Sequence, residues 1–362
     1  MTQGEYGIDI LLCHARKMKS YSANDRNITI DVLNVLSCIA VIALHHNGLV
    51  HSYDGSRAWK ESLIIECAFY WCVPVFLMIS GITLMEYRDR YSTSVFFRRR
   101  ILRTVVPWFS WSVIFLIWKL QTNQILLENG DTIKQCLELI LNNKVMQVYW
   151  FFSTLFACYL VLPVFSLLKN QRRILWYVVG LNFIFVSVLP TVNKWFDISY
   201  TLSIPTVGSC LIYILLGYLL KDVNMGKKQR FLLYFIGFGM MIFRYIYTYH
   251  FSMITRTTDT SIKGFQVFHA VFYSVAIWIM IWNLNWKTII PAWLRNRLPV
   301  IASCSLGVYL IHIFVMYYEM QFLSLDKHSF IWRTICILLT YIASLMITLI
   351  LKKIPIIRIL VP

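Results

Sequence analysis

Two adjacent histidines, His45 and His46, close a run of roughly 20 mostly apolar residues, Ile28 to Asn47. An imidazole at membrane depth is costly unless it has a partner or a task. It is also a side chain that takes and returns a proton near neutral pH. Ser305, Tyr309 and His312 lie in a second apolar run at spacings that share one helix face. His269, Glu66 and Trp150 fall at the ends of three more such runs. The other reactive group is basic. In FFRRRILRTVVPWF, Arg100 and Arg103 stand one helical turn apart, with Arg99 also about one turn before Arg103. Clustered guanidiniums grip phosphate through charge-assisted, forked hydrogen bonds.

Helices must position these groups. At about 100° per residue, Asn34, Ser37, Cys38, Val41 and His45 form one small, partly polar stripe. Such a stripe faces other helices rather than lipid. His46 falls on the stripe of Val35, Ile39 and Ile42, so His45 is the expected functional residue of the two. Apolar spans follow at 28–47, 61–85, 101–120, 146–168, 173–190, 204–220, 231–248, 265–284, 300–320 and 331–351. These predict an all-α polytopic membrane protein of about ten crossings, with 131–145 a short surface helix. No apolar run precedes Ile28, so no cleavable signal peptide is expected. The expected domains are a cytoplasmic segment 1–27, a transmembrane domain 28–352 and a cytoplasmic tail 353–362.

Composition agrees. The chain of 362 residues is 58% hydrophobic and only 14% charged, where soluble domains carry about 25% charge. Its net charge of +17 does not imply nucleic acid, because the basic residues sit in the short connections between spans. Most of them fall on one side when the N-terminus is placed inside, from Arg16, Lys17, Lys19 and Arg26 through Arg88–Arg103 to Lys352, Lys353 and Arg358. That bias sets both termini in the cytoplasm and His45 near the outer face. Glu66, Trp150, His269 and His312 then share its depth and could line one outward cavity. The nine cysteines show no metal-ligand spacing, so no metal is expected.

Several stretches, in order, resemble the membrane acyltransferase 3 family, whose members O-acylate bacterial surface glycans. They are DVLNVLSCIAVIALHH, CVPVFLMISG (Cys72 to Gly81), RRILRTVVP (Arg99 to Pro107), WFFSTLFACYLVLP (Trp150 to Pro163) and SLGVYLIH (Ser305 to His312). The departure is Asn34, which stands where the family has arginine, with the spacing to His45 kept.

The resemblance implies a multi-pass enzyme of the bacterial plasma membrane, moving an acyl group, usually acetyl, from cytoplasmic acyl-CoA to a hydroxyl of a surface glycan or lipid-linked saccharide. Acetyl-CoA is then a co-substrate, and the surrounding partners are membrane lipids. Arg100 and Arg103, with Arg99, would hold the CoA phosphates. His45 would act as general base or carry the acyl group transiently. Tyr309, Ser305 or His312 would stabilise the oxyanion or orient the base, and Trp150 would stack on a sugar, with Glu66 and His269 also lining the acceptor site. The rival class is a polysaccharide or small-molecule transporter or flippase. It would favour inverted repeats and helices broken at midplane, for which Pro74 with Gly81 and Pro205 with Gly208 are the candidates. A noncatalytic sensor would need neither the arginines nor the histidines.

Overall fold

The side chain of Asn27 starts the first helix by accepting the Thr29 backbone N–H at 2.9 Å, satisfying one of the donors a helix start leaves over. Ser56 and Ser92 cap the second and fourth helices in the same way, onto the N–H groups of Trp59 and Val95. The computed structural model describes residues 27–128, 130–198 and 210–362. Arg16, Lys17, Lys19, Arg26 and the Pro205/Gly208 pair lie outside the described residues.

Within these residues the protein is all-α. In chain order the helices are α1 (Ile28–His46), α2 (Arg57–Phe69), α3 (Cys72–Leu84), α4 (Thr93–Arg100), α5 (Val106–Gln121), α6 (Thr132–Leu141) and α7 (Trp150–Leu167). They continue with α8 (Arg172–Asn182), α9 (Leu189–Phe196), α10 (Leu211–Leu220), α11 (Lys227–Thr255), α12 (Phe268–Trp282), α13 (Ser305–Leu323) and α14 (Ile335–Lys353). Several pair end to end, so eight continuous helical runs are long and apolar enough to cross a membrane, and α10 and α12 are shorter apolar helices. Together they account for the ten apolar stretches. The amphipathic α6 is the expected surface helix.

Two of the runs carry π-helical turns. Residues Ile101–Val105 join α4 to α5 and Phe183–Val188 join α8 to α9. The first has a clear cause. Pro107 has no N–H for the Arg103 carbonyl and its ring crowds that turn, so the Val106 N–H reaches five residues back to the Ile101 carbonyl instead. Arg103 therefore sits on a widened turn, a local geometry often found at functional sites.

The centre of the bundle is α10, all of whose residues are buried. It crosses α3 with backbones in contact. A Cβ on Gly217 would lie 2.1 Å from the Met78 carbonyl oxygen, and one on Gly81 2.0 Å from that of Ile214. Without a hydrophobic drive between helices in lipid, such close approach is what packs them. Gly217→Val is expected to cost about 3 kcal/mol or more, read as a fall of roughly 5 °C or more in the thermal midpoint in detergent. An unchanged midpoint would contradict this packing.

Helix direction follows from side-chain pairs. Cys38 reaches the Ser305 carbonyl and His45 reaches His312 at the same sequence offset of 267, so α1 and α13 run parallel and in register. His46 meets Thr340 near the start of α14, and Thr348 near its end packs on Gly307, so α14 runs antiparallel to both. The Ile28, Ser305 and Lys353 ends thus share one face of the bundle. Carboxylates tie cations together at this basic end: Lys169 to Asp89, Arg172 to Asp222 at 3.4 Å and Lys221 to Glu86 at 2.6 Å.

Candidate active site

The parallel α1 and α13 bring His45 and His312 together. Nδ1 of His45 lies 2.6 Å from Nε2 of His312, the ring centroids are 4.8 Å apart and the planes differ by 15°. The short N···N distance means that the rings meet edge to edge, not face to face. His312 Nδ1 lies 2.6 Å from the Tyr309 carbonyl oxygen. A carbonyl only accepts, so Nδ1 of His312 carries a proton and, in the neutral ring, Nε2 is the acceptor. His45 therefore donates through Nδ1. Its Nε2 is left as the lone pair, turned away from the pair. One backbone carbonyl fixes two tautomers in series, as an orienting acceptor does for a general base elsewhere.

His46 does different work. It is 1% exposed, its ring packs against Trp332 at 4.1 Å, and its Nε2 lies 2.8 Å from Thr340 Oγ1. The Thr340 hydroxyl donates to Glu319, so His46 donates to Thr340. The chain His46–Thr340–Glu319 binds α1, α14 and α13. His45 keeps partial solvent exposure, and the contrast favours it as the reactive histidine.

A cavity of about 960 Å³ ends about one helical turn short of the pair, and neither ring lines it. Its basic end is lined by Arg100, Arg103, Lys352 and Arg358, its middle by Asn34, Ser80, Tyr159 and Ser305, and its far end by Val41, Phe151 and Tyr309. His45 lies one turn beyond Val41 on α1, and His312 one turn beyond Tyr309 on α13. From Asn34 to His45 the helix rises about 16 Å, roughly half the hydrocarbon thickness. The Ser305 hydroxyl and the Nε of Arg100 are buried without a partner. Arg100 is held against the rings of Tyr159 and Phe96 at 5.7 and 5.9 Å.

The remaining sequence candidates are placed as follows. The Tyr309 hydroxyl donates to the Val148 carbonyl and that of Tyr149 donates to Leu310 at 2.8 Å, so Tyr309 pins α13 to the turn before α7 and supplies the site with its carbonyl. Arg99 stacks on Tyr91 at 4.4 Å and does not line the cavity. Trp150 stacks on Phe265, next to the cavity residue Phe151. Glu66 and His269 belong to a neighbouring cluster. Glu66 pairs with Arg244 at 3.4 Å, both nearly buried, Arg244 covers the Tyr70 ring at 3.4 Å, and His269 bonds the Ile262 carbonyl at 2.9 Å. Among the described residues no group of His, Cys, Asp or Glu could hold a metal ion.

Sequence reasoning missed Arg244, Glu319, Lys352 and Arg358 as site neighbours. An arginine inside an apolar span was the available signal for Arg244. Lys352 and Arg358 were hidden among orientation charges. The relay also makes a prediction. His312→Ala leaves His45 free to turn and take the other tautomer, and should lower kcat by roughly 10²-fold with KM little changed. An unaltered kcat would remove His312 from the site.

The family model described as an acyltransferase domain matches residues 27–349. No curated protein and no solved structure matches the chain.

Proposed function

The chain belongs to the acyltransferase 3 family, a membrane acyltransferase, and from that premise we propose that it moves an acyl group, acetyl in the first instance, from cytoplasmic acyl-CoA to a hydroxyl of a cell-surface glycan or its lipid-linked precursor. The host would be a bacterium and the membrane its plasma membrane. The single observation that carries the reading is one cavity with unneutralised cations at its basic end and an oriented imidazole pair just past the other.

The chemistry follows from the ends. A nucleotide cannot enter hydrocarbon, so its phosphates stay at Arg100 and Arg103. The pantetheine arm rises along Asn34, Ser80 and Ser305, whose polar groups suit its amides. The acceptor hydroxyl gives its proton to Nε2 of His45 as its oxygen attacks the thioester carbonyl carbon. The carbonyl π electrons move to oxygen, then return as the C–S bond breaks, and the leaving thiolate takes the proton back from His45. The products are an ester and a free thiol. Through this step the Nδ1–H of His45 stays bonded to His312, which holds the imidazolium in place.

The test is thioester cleavage by the purified protein in lipid, with a glycan extract as acceptor. The reading expects free thiol to appear in step with ester. A transporter would move its cargo and leave the thioester intact.

A further inference from the structure

Four cations line the cavity, and they differ from three others of the basic end. Lys169, Arg172 and Lys221 each have a carboxylate partner. Arg100, Arg103, Lys352 and Arg358, the four that line the cavity, pair with no carboxylate among the described residues, and the lining contains no Asp or Glu. Other cations outside the cavity, Arg88, Arg90 and Arg99 among them, also lack a carboxylate among the described residues and rest on a serine, carbonyl oxygens or an aromatic ring instead, so what sets the four apart is that they converge on one cavity.

These four cations come from two places in the chain. Arg100 precedes the π-turn between α4 and α5 and Arg103 lies within it. Lys352 lies in the last turn of α14, and Arg358 lies on the segment after it. That segment is folded back and fixed. Val361 is wholly buried and sits at Gly307, where a Cβ on the glycine would be 3.2 Å away. The Trp111 indole N–H donates to the Leu360 carbonyl at 3.0 Å, and the Arg358 N–H donates to Ile354 at 2.9 Å. Lys352 Nζ donates to the Ser303 carbonyl at 2.8 Å, which holds the ammonium on the wall. Arg358 is therefore placed by packing at both sides.

We propose that Lys352 and Arg358 form a second phosphate subsite, separate from Arg100 and Arg103, which makes the protein select a donor carrying a 3′-phosphate. The inference rests on the acyl-CoA reading and deepens it. CoA carries a pyrophosphate and a 3′-phosphate monoester, about four negative charges in all near pH 7, to be met by the four cations of the lining. A phosphopantetheine arm on a carrier protein carries one phosphodiester charge and would leave most of them unmatched. An anionic lipid headgroup offers the same phosphate chemistry, so the experiment must separate the two sources.

Equilibrium binding of CoA and 3′-dephospho-CoA to the full chain in phosphatidylcholine nanodiscs does so, since no anionic headgroup is present. Wild type is expected to bind CoA at least about tenfold more tightly than dephospho-CoA. Lys352→Gln and Arg358→Gln should each weaken CoA by roughly tenfold and change dephospho-CoA by less than about twofold. Arg358→Lys should retain part of the preference, which shows that the segment still folds. Arg103→Gln should weaken both ligands alike. Equal wild-type affinities, or Arg358→Gln weakening both ligands equally or neither, overturns the subsite and leaves the donor reading intact. Wild type that binds neither ligand overturns both.

Discussion

His45→Ala lowers kcat for acyl transfer by about 10³-fold, within the range of a positioned general base. The variant loses the ring whose Nε2 lone pair is set free by the Tyr309–His312 chain, and the His312 Nε2 that it uncovers belongs to a ring centred 4.8 Å from where the base stood. His46 is buried and donates to Thr340, so its Nε2 carries a proton. His46→Ala should show the opposite pattern. It loses the Trp332 contact and one hydrogen bond, which is a stability loss of about 2–4 kcal/mol. The fraction that folds should turn over within about threefold of wild type. Kinetics on monodisperse protein separate the two, and a dead His46 variant beside an active His45 variant would reverse the assignment.

The second large effect is on donor binding. Arg100→Gln with Arg103→Gln should raise KM for acyl-CoA by about 10²–10³-fold, because each removed charge-assisted contact is worth about 1.5–3 kcal/mol. In the proposed reading the phosphates lie at the far end of the cavity from the reacting carbonyl, so kcat at saturating donor should stay within about threefold. Lysine at position 100 keeps the charge but loses the fork and the ring contacts with Tyr159 and Phe96. It should recover only part of the loss. A double variant with unchanged KM and a collapsed kcat would place these arginines in the chemistry instead.

Periodicity made much of this architecture legible. The ten apolar stretches, the shared depth of His45 and His312 and the placing of two cations at one end all follow from spacing that hydrocarbon enforces. The stripe holding Asn34, Cys38, Val41 and His45 does face other helices, since Cys38 meets Ser305 and His45 meets His312. What spacing could not give is which outer polar groups converge. Glu66 and His269 lie at the right depth but around the bundle, where Arg244 of α11 and the Ile262 carbonyl satisfy them. Depth is one coordinate, and the angular position of a helix is set by packing such as the Gly81–Gly217 crossing. The Tyr309 hydroxyl is likewise spent on Val148, a contact between segments that no pattern within α13 encodes. Lys352 and Arg358 read as orientation charges because their approach to the cavity depends on the chain turning back after α14.

The most direct test of the central claim is surface-glycan NMR on cells that carry the gene, cells deleted for it, and deleted cells given wild type or His45→Ala. The account expects O-acyl signals to vanish on deletion, to return with wild type and to stay absent with His45→Ala. Signals that survive deletion, or that return in full with His45→Ala, would contradict it.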